Sequence, residues 1–315
     1  MLLLVQSILT LVGALYLGTL AIALVTRLYQ LHLQPPVSTA KYDAGQGGWA
    51  VVTGASDGIG KEFALQLAKK KFNVVLLART RSKLEAVSDE AKKLASGVET
   101  KVIPFDFMNA KPSDYESLGK TLSELNVTVL VNNVAVNHDI PIPFVDEEAS
   151  VIEGIVDVNI KATMKVTRLV LPSMIAKEKG IIMNLGSFAG QVPTGFLSVY
   201  SASKAWLKSW SLALNQELRP KGVMVQHLNT YFVTTSMSKI RKPSVTTPTA
   251  KDYVNSVINS LGKGPNVTPF WSHSWAEWVM TRFVPESVLI AYSASLNAGI
   301  RKRALAKKDK SKRNE

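Results

Sequence analysis

Residues 53–60 read Thr-Gly-Ala-Ser-Asp-Gly-Ile-Gly, and the assignment of the fold rests on them. They follow the short apolar run Ala50–Thr53 and precede a segment with helical periodicity. A glycine-rich turn between a strand and a helix lets the backbone approach a pyrophosphate at the positive end of the helix. The spacing is Gly-x-x-x-Gly-x-Gly rather than the more familiar Gly-x-Gly-x-x-Gly, so the surrounding pattern has to support the interpretation.

The rest of the central region alternates between short apolar runs and longer stretches of helical periodicity. Such alternation is typical of βαβ units and a buried parallel sheet. It predicts an α/β fold, a Rossmann-type doubly wound parallel sheet, in a catalytic domain spanning 48–265. The predicted strands are Ala50–Thr53, Val74–Ala78, Lys101–Phe105, Val127–Asn132, Gly180–Leu185 and Val223–Leu228.

Composition excludes several kinds of site. The 315 residues include no cysteine, so disulfides, thiolate metal sites and cysteine nucleophiles are ruled out. The four histidines have no metal-ligand spacing, and no metal is expected. The net charge of +13 suits an anionic membrane, a polyphosphate ligand or nucleic acid. Because the basic C-terminal segment has no interleaved aromatic residues for base stacking, nucleic acid is not an expected partner.

The N-terminal region predicts a transmembrane helix. Residues 2–26 carry no charged side chain, and about 25 residues at ~1.5 Å each exceed a bilayer core of ~30 Å. A cleaved signal peptide is the alternative, but this apolar run is long and no basic region precedes it. We therefore expect an anchor at 1–27 and, because Pro35-Pro36 and several glycines follow, a linker at 28–47. Arg27 directly after the span places the remainder in the cytosol by the positive-inside rule.

The C-terminal region divides into two parts. Residues 266–300 form an aromatic-rich extension, interpreted as an interfacial segment or a lid over an acyl pocket, and a helix packed on the domain is equally compatible. Residues 301–315 contain eight basic and two acidic side chains and are expected to be a disordered basic tail. The final Lys312-Arg313-Asn314-Glu315 is similar to a dibasic retrieval signal.

Two positions near the cofactor turn bear on nucleotide choice. The second predicted strand ends at Ala78-Arg79, where an acidic residue would select NAD and an arginine suits a 2′-phosphate. NADPH is therefore the expected cofactor, with a plain surface arginine as the alternative. Asp106 after the third strand could accept a hydrogen bond from an adenine amino group or serve as a helix N-cap. Asn132-Asn133 could lock the fourth strand to its neighbours and line the cleft.

Ser187, Tyr200 and Lys204 form the most specific constellation. Tyr200 and Lys204 are four residues apart and share a helix face. An ammonium group beside a phenol favours the phenolate and lowers its pKa, which suits proton exchange with a carbonyl. Ser187 follows a strand and could donate to the same oxygen. A serine hydrolase is excluded because Leu185-Gly186-Ser187-Phe188-Ala189 lacks the Gly-x-Ser-x-Gly elbow.

Together these motifs resemble the short-chain dehydrogenase/reductase family over roughly residues 48–240. Asn132-Asn133-Val134-Ala135 is similar to its Asn-Asn-Ala-Gly motif, and Asn159 matches its catalytic asparagine. The resemblance implies the catalytic set Asn159, Ser187, Tyr200 and Lys204. It implies cofactor contacts at Val52, Gly54, Ser56, Asp57, Gly58, Ile59, Gly60, Arg79, Asp106, Asn133, Tyr200, Lys204, Val233 and Thr235.

The anchor, Val129–Val134, Met237–Arg241 and Thr268–Trp271 resemble the branch of very-long-chain 3-oxoacyl-CoA reductases of the endoplasmic reticulum. The resemblance implies a long-chain 3-oxoacyl-CoA substrate, NADPH/NADP+, an endoplasmic reticulum membrane location and other membrane-bound elongation enzymes as partners. A steroid or retinoid oxidoreductase of the same family, and a non-catalytic NADP-binding subunit of a membrane complex, remain alternatives. Thr230-Tyr231 departs from the Pro-Gly of the wider family.

Overall fold

A computed structural model describes residues 1–312 and places a seven-stranded parallel sheet at the centre of the chain. The strand order is β3-β2-β1-β4-β5-β6-β7, so the chain begins in the middle of the sheet and reverses direction once. This confirms the predicted doubly wound fold. The strands are β1 Trp49–Thr53, β2 Asn73–Ala78, β3 Thr100–Pro104, β4 Val127–Asn132, β5 Gly180–Leu185, β6 Val223–Leu228 and β7 Asn266–Val267.

Helices cover both faces of the sheet. One core cluster joins the sheet to α2, α3 and α8, and a second joins its other face to α4, α6 and α7. Because both faces are covered, the central strands are continuous apolar runs rather than alternating ones. The helices are α1 Leu2–Leu28, α2 Gly58–Lys69, α3 Arg81–Leu94, α4 Pro112–Ser123, α5 Ala149–Val156, α6 Thr163–Ala176, α7 Ser198–Leu218, α8 Ala250–Ile258, α9 Trp271–Phe283 and α10 Glu286–Lys312.

A buried amide network fixes the middle of the sheet near the ends of the strands. The Asn132 side chain donates to Asn184 Oδ1 on β5 (2.8 Å) and to Thr167 Oγ1 on α6 (2.9 Å). Asn184 in turn donates to Ser211 Oγ on α7 at 2.8 Å. Since buried polar groups are costly unless paired, this network ties β4, β5 and two helices in one register. The predicted role of Asn132 in locking its strand is confirmed.

The first helix is longer than the predicted anchor. It continues from α1 as a π-helical turn, Tyr29–Leu33, and so extends six residues into the segment predicted as a linker at 28–47. The helix stops only at Gln34, which precedes Pro35 and is extended, because a residue before proline avoids the helical region. Leu2–Leu33 is long and apolar enough to be a candidate membrane span, and its most apolar window has no buried residue.

Two further boundaries differ from the sequence prediction. β7 pairs with β6 through His227↔Asn266 and Leu228↔Val267, so the sheet continues past the predicted domain end at 265. A two-residue strand is too short to leave a periodic signal. The predicted disordered tail is helical as far as Lys312, because good helix formers such as alanine, leucine, lysine and arginine continue α10. Residues 313–315, and with them the dibasic sequence, lie outside the described residues.

Candidate active site

The glycine turn lies at the carboxyl end of β1 and opens α2. Gly54 and Gly58 have φ values of 68° and 54°, in the left-handed region that side chains avoid. A Cβ added at Gly60 would collide with the Gly54 carbonyl oxygen and the Asn133 amide. These glycines therefore form a tight concave backbone at the N-terminus of a helix, which is the shape and polarity that a pyrophosphate requires.

Side chains from other loops hold this turn in place. Asn133 Nδ2 donates to the Thr53 carbonyl oxygen at 2.9 Å, and Thr53 Oγ1 accepts from the Asn133 backbone N–H at 2.9 Å. Asp57 caps α2 by accepting from the Gly58 N–H at 2.7 Å, and its second oxygen accepts from the Ser236 hydroxyl at 2.6 Å. The segment after β6 thus closes over the glycine turn.

The structure assigns different surroundings to the other predicted cofactor residues. Ser56 and Ile59 are partly buried in the turn, and Thr235 lies against Gly58. Arg79 is exposed directly after β2. These positions are all accessible from the carboxyl edge of the sheet.

Two of the predicted contact residues, Val52 and Val233, are core residues, and their contacts with the cofactor stay predictions. Val52 is fully buried, and β1 is paired on both sides. Val233 is likewise almost fully buried and packs in the same core cluster.

Asp106 is not a helix N-cap, since Lys111 occupies that position for α4. Its carboxylate instead accepts from the Met108 N–H and the Asn109 amide in a local turn.

The catalytic residues predicted from the sequence converge at the carboxyl end of β5. Tyr200 and Lys204 lie in the first two turns of α7, with the Lys204 Nζ 5.8 Å from the centre of the Tyr200 ring. Lys204 is buried and donates to the Leu185 carbonyl oxygen at 2.7 Å. Ser187 follows β5, and its hydroxyl lies close enough to the Tyr200 phenol to lower the pKa of that phenol. Two hydroxyl groups and one ammonium group are thus brought to one point beside the cofactor turn.

Burial controls the ionisation of this group. It raises the pKa of Tyr200, although the nearby Ser187 hydroxyl acts in the opposite direction. It lowers the pKa of Lys204 to about 8. In the protein alone the pKa of Tyr200 is raised, opposite to the lowering expected from Lys204, because desolvation disfavours the phenolate. The consequence is a phenol that stays protonated near neutral pH and can act as a proton donor.

Asn159 is positioned by a local irregularity of the backbone. It lies in a π-helical segment, Asp157–Ala162, between α5 and α6, and such segments are common at functional sites. Its amide accepts from the Val136 N–H at 2.8 Å and donates to the Val136 carbonyl and to Ser203 Oγ. Ser203 donates to the Tyr200 carbonyl oxygen at 2.7 Å. Asn159 therefore connects the loop after β4 to the helix that carries Tyr200.

A buried cluster that the sequence did not reveal adjoins this site. Glu277 on α9 accepts from Gln191 Nε2 at 2.9 Å and from Asn229 Nδ2 at 3.0 Å. Its other oxygen accepts from the Thr268 hydroxyl and lies 3.6 Å from the Arg27 guanidinium. Gln191 belongs to the loop that follows Ser187 and Asn229 follows β6. No local pattern connects these residues, because up to 250 positions separate them along the chain.

The departure at Thr230-Tyr231 is accommodated by packing. Thr230 Oγ1 hydrogen bonds with the Tyr253 hydroxyl at 2.6 Å. The Tyr231 ring lies 4.4 Å from Phe188 and 5.1 Å from His273, between the serine loop and α9. Burial raises the pKa of Tyr231, so its phenol remains neutral. Tyr231 thus forms one aromatic wall next to the catalytic group.

The chain is similar in sequence to known proteins. The profile of the family described as short chain dehydrogenase matches residues 48–245. A very-long-chain 3-oxoacyl-CoA reductase of Mycosarcoma maydis is 41% identical over 311 residues, covering 95% of this chain and 89% of that protein. A protein of the same name from Podospora anserina is 43% identical over 303 residues, covering 94% of this chain and 89% of its own.

Solved structures have the same fold. A 7beta-hydroxysteroid dehydrogenase superposes with a TM-score of 0.72 at 22% identity, covering 81% of this chain and 98% of its own. A short-chain dehydrogenase from Sphingobium yanoikuyae in complex with NADPH has a TM-score of 0.66 at 25% identity, with coverages of 77% and 95%. At 22% identity, the similarity to the steroid enzyme concerns the fold alone.

The glycine turn provides the first test. We expect Gly60→Ala to weaken binding of a reduced dinucleotide by at least about tenfold, since the new methyl group displaces the backbone that faces the pyrophosphate. Fluorescence titration of the bound nucleotide measures this. Gly13→Ala is the control, because nothing lies within 4 Å of a Cβ at Gly13. Unchanged nucleotide affinity in the Gly60 variant would contradict the assignment.

The lowered pKa of Lys204 predicts a pH dependence. As pH rises through about 8, Lys204 loses its charge, so kcat/KM for carbonyl reduction should fall by about tenfold for each further pH unit. Tyr200 does not account for such a fall, because its pKa is raised above the ordinary value near 10. Steady-state rates between pH 6 and pH 10 measure the profile. A flat profile up to pH 10 would contradict this role of Lys204.

Proposed function

The chain belongs to the short-chain dehydrogenase family, and we propose that it reduces a long-chain 3-oxoacyl-CoA to the 3-hydroxyacyl-CoA with NADPH as reductant. The observation that carries this proposal is the convergence of Ser187, Tyr200 and Lys204 beside the glycine turn. The choice of acyl substrate follows the relatives of about 40% identity, which are named very-long-chain 3-oxoacyl-CoA reductases.

The roles of the catalytic residues follow from their chemistry. The hydroxyl groups of Ser187 and Tyr200 donate hydrogen bonds to the 3-oxo oxygen and hold the carbonyl in place. Bound NADPH supplies the hydride that reduces the carbonyl carbon. Tyr200 then transfers its proton to the developing alkoxide, and fixed donors at that position stabilise the transition state. Since burial keeps the phenol protonated, the proton is available at neutral pH.

Lys204 and Asn159 support the proton transfer. The Lys204 ammonium group is oriented by the Leu185 carbonyl and lies under the Tyr200 ring. It offsets the negative charge that Tyr200 acquires when it releases its proton, which lowers the cost of the transfer. Asn159 holds the loop after β4 against α7. We assign it the further role of orienting a water molecule that returns a proton from solvent.

The residues fit an NADPH molecule in three respects. The glycine turn has the backbone shape for a pyrophosphate. Arg79 is exposed where a 2′-phosphate would lie, and Ala78 stands where an acidic residue would repel it. The net charge of +13 suits both the nucleotide and the phosphates of coenzyme A. Asp106 and Thr235 are proposed to contact the adenine and the carboxamide.

We propose a location in the endoplasmic reticulum membrane with the catalytic domain in the cytosol. The candidate span Leu2–Leu33 supports membrane attachment, and Arg27 supports the cytosolic orientation. A very long acyl chain partitions into lipid, so an enzyme that acts on it benefits from attachment to the bilayer. Other membrane-bound enzymes of acyl elongation, which supply the 3-oxo substrate and consume the 3-hydroxy product, are the proposed partners.

Two rival functions are less well supported. A steroid or retinoid oxidoreductase would carry the same catalytic residues, but the steroid enzyme that superposes on the chain is only 22% identical. A non-catalytic NADP-binding subunit would have no requirement for an assembled catalytic group. Here Ser187, Tyr200 and Lys204 are assembled in one place.

Replacing the proton donor tests the proposal. Tyr200→Phe should lower kcat for NADPH-dependent reduction of 3-oxostearoyl-CoA by at least ~10², the low end for a positioned proton donor. Tyr115→Phe is the matched control, because Tyr115 lies on α4 and packs against Phe105 away from the site. Thermal unfolding should be the same for both variants. Near-normal turnover of Tyr200→Phe, or equal loss in the control, would contradict the proposal.

Nucleotide choice is tested at Arg79. Arg79→Glu should lower the ratio of kcat/KM with NADPH to that with NADH by at least about tenfold, since a carboxylate repels the 2′-phosphate and accepts from a ribose hydroxyl. Arg81→Glu makes the same change of charge two residues away, at an exposed arginine that pairs with Glu85. An unchanged ratio in the Arg79 variant, or an equal change in both variants, would contradict a specific role.

A further inference from the structure

The two C-terminal helices each present an apolar stripe that no other element within the described residues covers. On α9 the stripe consists of Trp271, Trp275, Val279 and Phe283, which are spaced four residues apart and lie on one side of the helix. On α10 it consists of Val288, Tyr292 and Leu296 with the same spacing. Apart from the partly buried Trp275, these residues are 39% to 68% exposed. Exposed apolar stripes of this kind mark contact sites.

The exposed side of these helices carries few charges, with Arg282 near the end of α9 and Glu286 at the start of α10. From Ser287 to Ile300, α10 contains no charged residue. On α9 the acidic residue Glu277 points to the opposite, buried side, where it meets Arg27. Basic residues begin at Arg301, immediately after the apolar stripe. An apolar face followed by a basic segment is the pattern of a helix that lies in the interface of an anionic bilayer.

The position of α9 relative to the candidate span indicates that its exposed stripe faces the bilayer. Arg27 is in the last turn of α1, and its guanidinium donates to the Ser274 carbonyl oxygen at 2.5 Å and to the Ser274 hydroxyl at 2.6 Å. The same guanidinium pairs with Glu277. Because Arg27 is the first charged residue in the candidate span Leu2–Leu33, the first turns of α9 lie near the level where the bilayer surface would be.

The second helix connects this surface with the catalytic site. Ser293 donates to the Pro193 carbonyl oxygen at 3.2 Å, and Asn297 donates to the Gly195 carbonyl oxygen at 2.9 Å. Both acceptors belong to the loop between Ser187 and Tyr200. The side of α10 that carries Ser293 and Asn297 therefore holds the catalytic loop, while the adjacent stripe is exposed.

We propose that α9 and α10 form a second membrane contact, here called the interfacial pair, which lies in the headgroup region of the bilayer beside the anchor. The contact directs the carboxyl edge of the sheet towards the lipid. Resting on the proposed function, it also implies that the acyl chain passes between the bilayer and the site beside the 190–197 loop without crossing water. The occupant of the exposed stripes is the lipid bilayer.

The absence of cysteine from the chain allows a direct test. Single substitutions Val279→Cys and Tyr292→Cys in the full-length protein are labelled with an environment-sensitive fluorophore and reconstituted in vesicles of phosphatidylcholine and phosphatidylserine. Leu94→Cys is the matched control, since Leu94 is also an exposed apolar residue but ends α3 at the amino edge of the sheet. Quenching by brominated lipid and by aqueous iodide is then compared at each position.

We expect brominated lipid to quench the labels at 279 and 292 and iodide to quench the label at 94. Iodide quenching at 279 or 292, with no effect of brominated lipid, would overturn the proposal. Protection from both quenchers that depends on protein concentration would also overturn it and assign the surface to a second copy of the chain. The readout does not require turnover, so its failure leaves the proposed reductase activity untouched.

A second experiment in the same vesicles tests whether the acyl substrate reaches the site through the bilayer. The double substitution Val279→Ser and Tyr292→Ser should raise KM for 3-oxostearoyl-CoA severalfold and leave KM for 3-oxobutanoyl-CoA and kcat unchanged, because only the long chain partitions into lipid. Leu94→Ser should change neither constant. Equal KM changes for both substrates would contradict delivery through the bilayer, since a general loss of structure does not discriminate by chain length.

Discussion

The amino group of Lys204 is buried beneath the Tyr200 ring and donates to the carbonyl oxygen of Leu185. A buried cation is costly, and the fold provides only one carbonyl and a neighbouring aromatic ring to offset that cost. This cost lowers the pKa of Lys204 to about 8. The same burial keeps the phenol of Tyr200 protonated. The site is thus held with a cation and a neutral proton donor side by side, which is the state that reduction of a ketone requires.

Buried hydrogen bonds between elements of the fold hold that arrangement in place. The Asn132–Asn184–Ser211 network fixes the strand that precedes Ser187 to the helix that carries Tyr200. Asn159 fixes the loop after β4 to the same helix through Ser203. Each is a fully buried or nearly buried amide whose hydrogen bonds cross between elements, so a small movement of one element would leave a polar group unpaired.

Membrane attachment and chemistry meet at one edge of the sheet. The carboxyl ends of β5, β6 and β7 carry the Ser187 loop, Asn229 and Thr268, and the last two bond to Glu277. Glu277 also meets Arg27 at the end of the anchor. Because parallel strands end at a common edge, the candidate span beside β7 would bring a bilayer close to a site beside β5. The sheet topology therefore places the candidate span close to the catalytic residues.

Features that depend on a few neighbouring residues could be predicted from the sequence. Features that depend on long-range contacts could not. The glycine turn and the spacing of Tyr200 and Lys204 are short-range features of one turn and one helix, so they could be recognised directly. The raised pKa of Tyr200 could not, because it depends on burial by residues distant in sequence. β7 is too short for a periodic signal, and the cluster at Glu277 joins four separate segments. The first helix ends at Leu33, two residues before Pro35, whereas the predicted anchor ended at residue 27.

The most direct measurement follows an isotope from the nucleotide to the product. Purified protein in lipid is given 3-oxostearoyl-CoA and NADPH that carries deuterium at the reactive carbon of the nicotinamide, and the product is analysed by mass spectrometry. We expect a 3-hydroxyacyl-CoA with one deuterium on carbon 3. Binding of both ligands without formation of that product, or reduction of 17-oxosteroids in its place, would contradict this expectation.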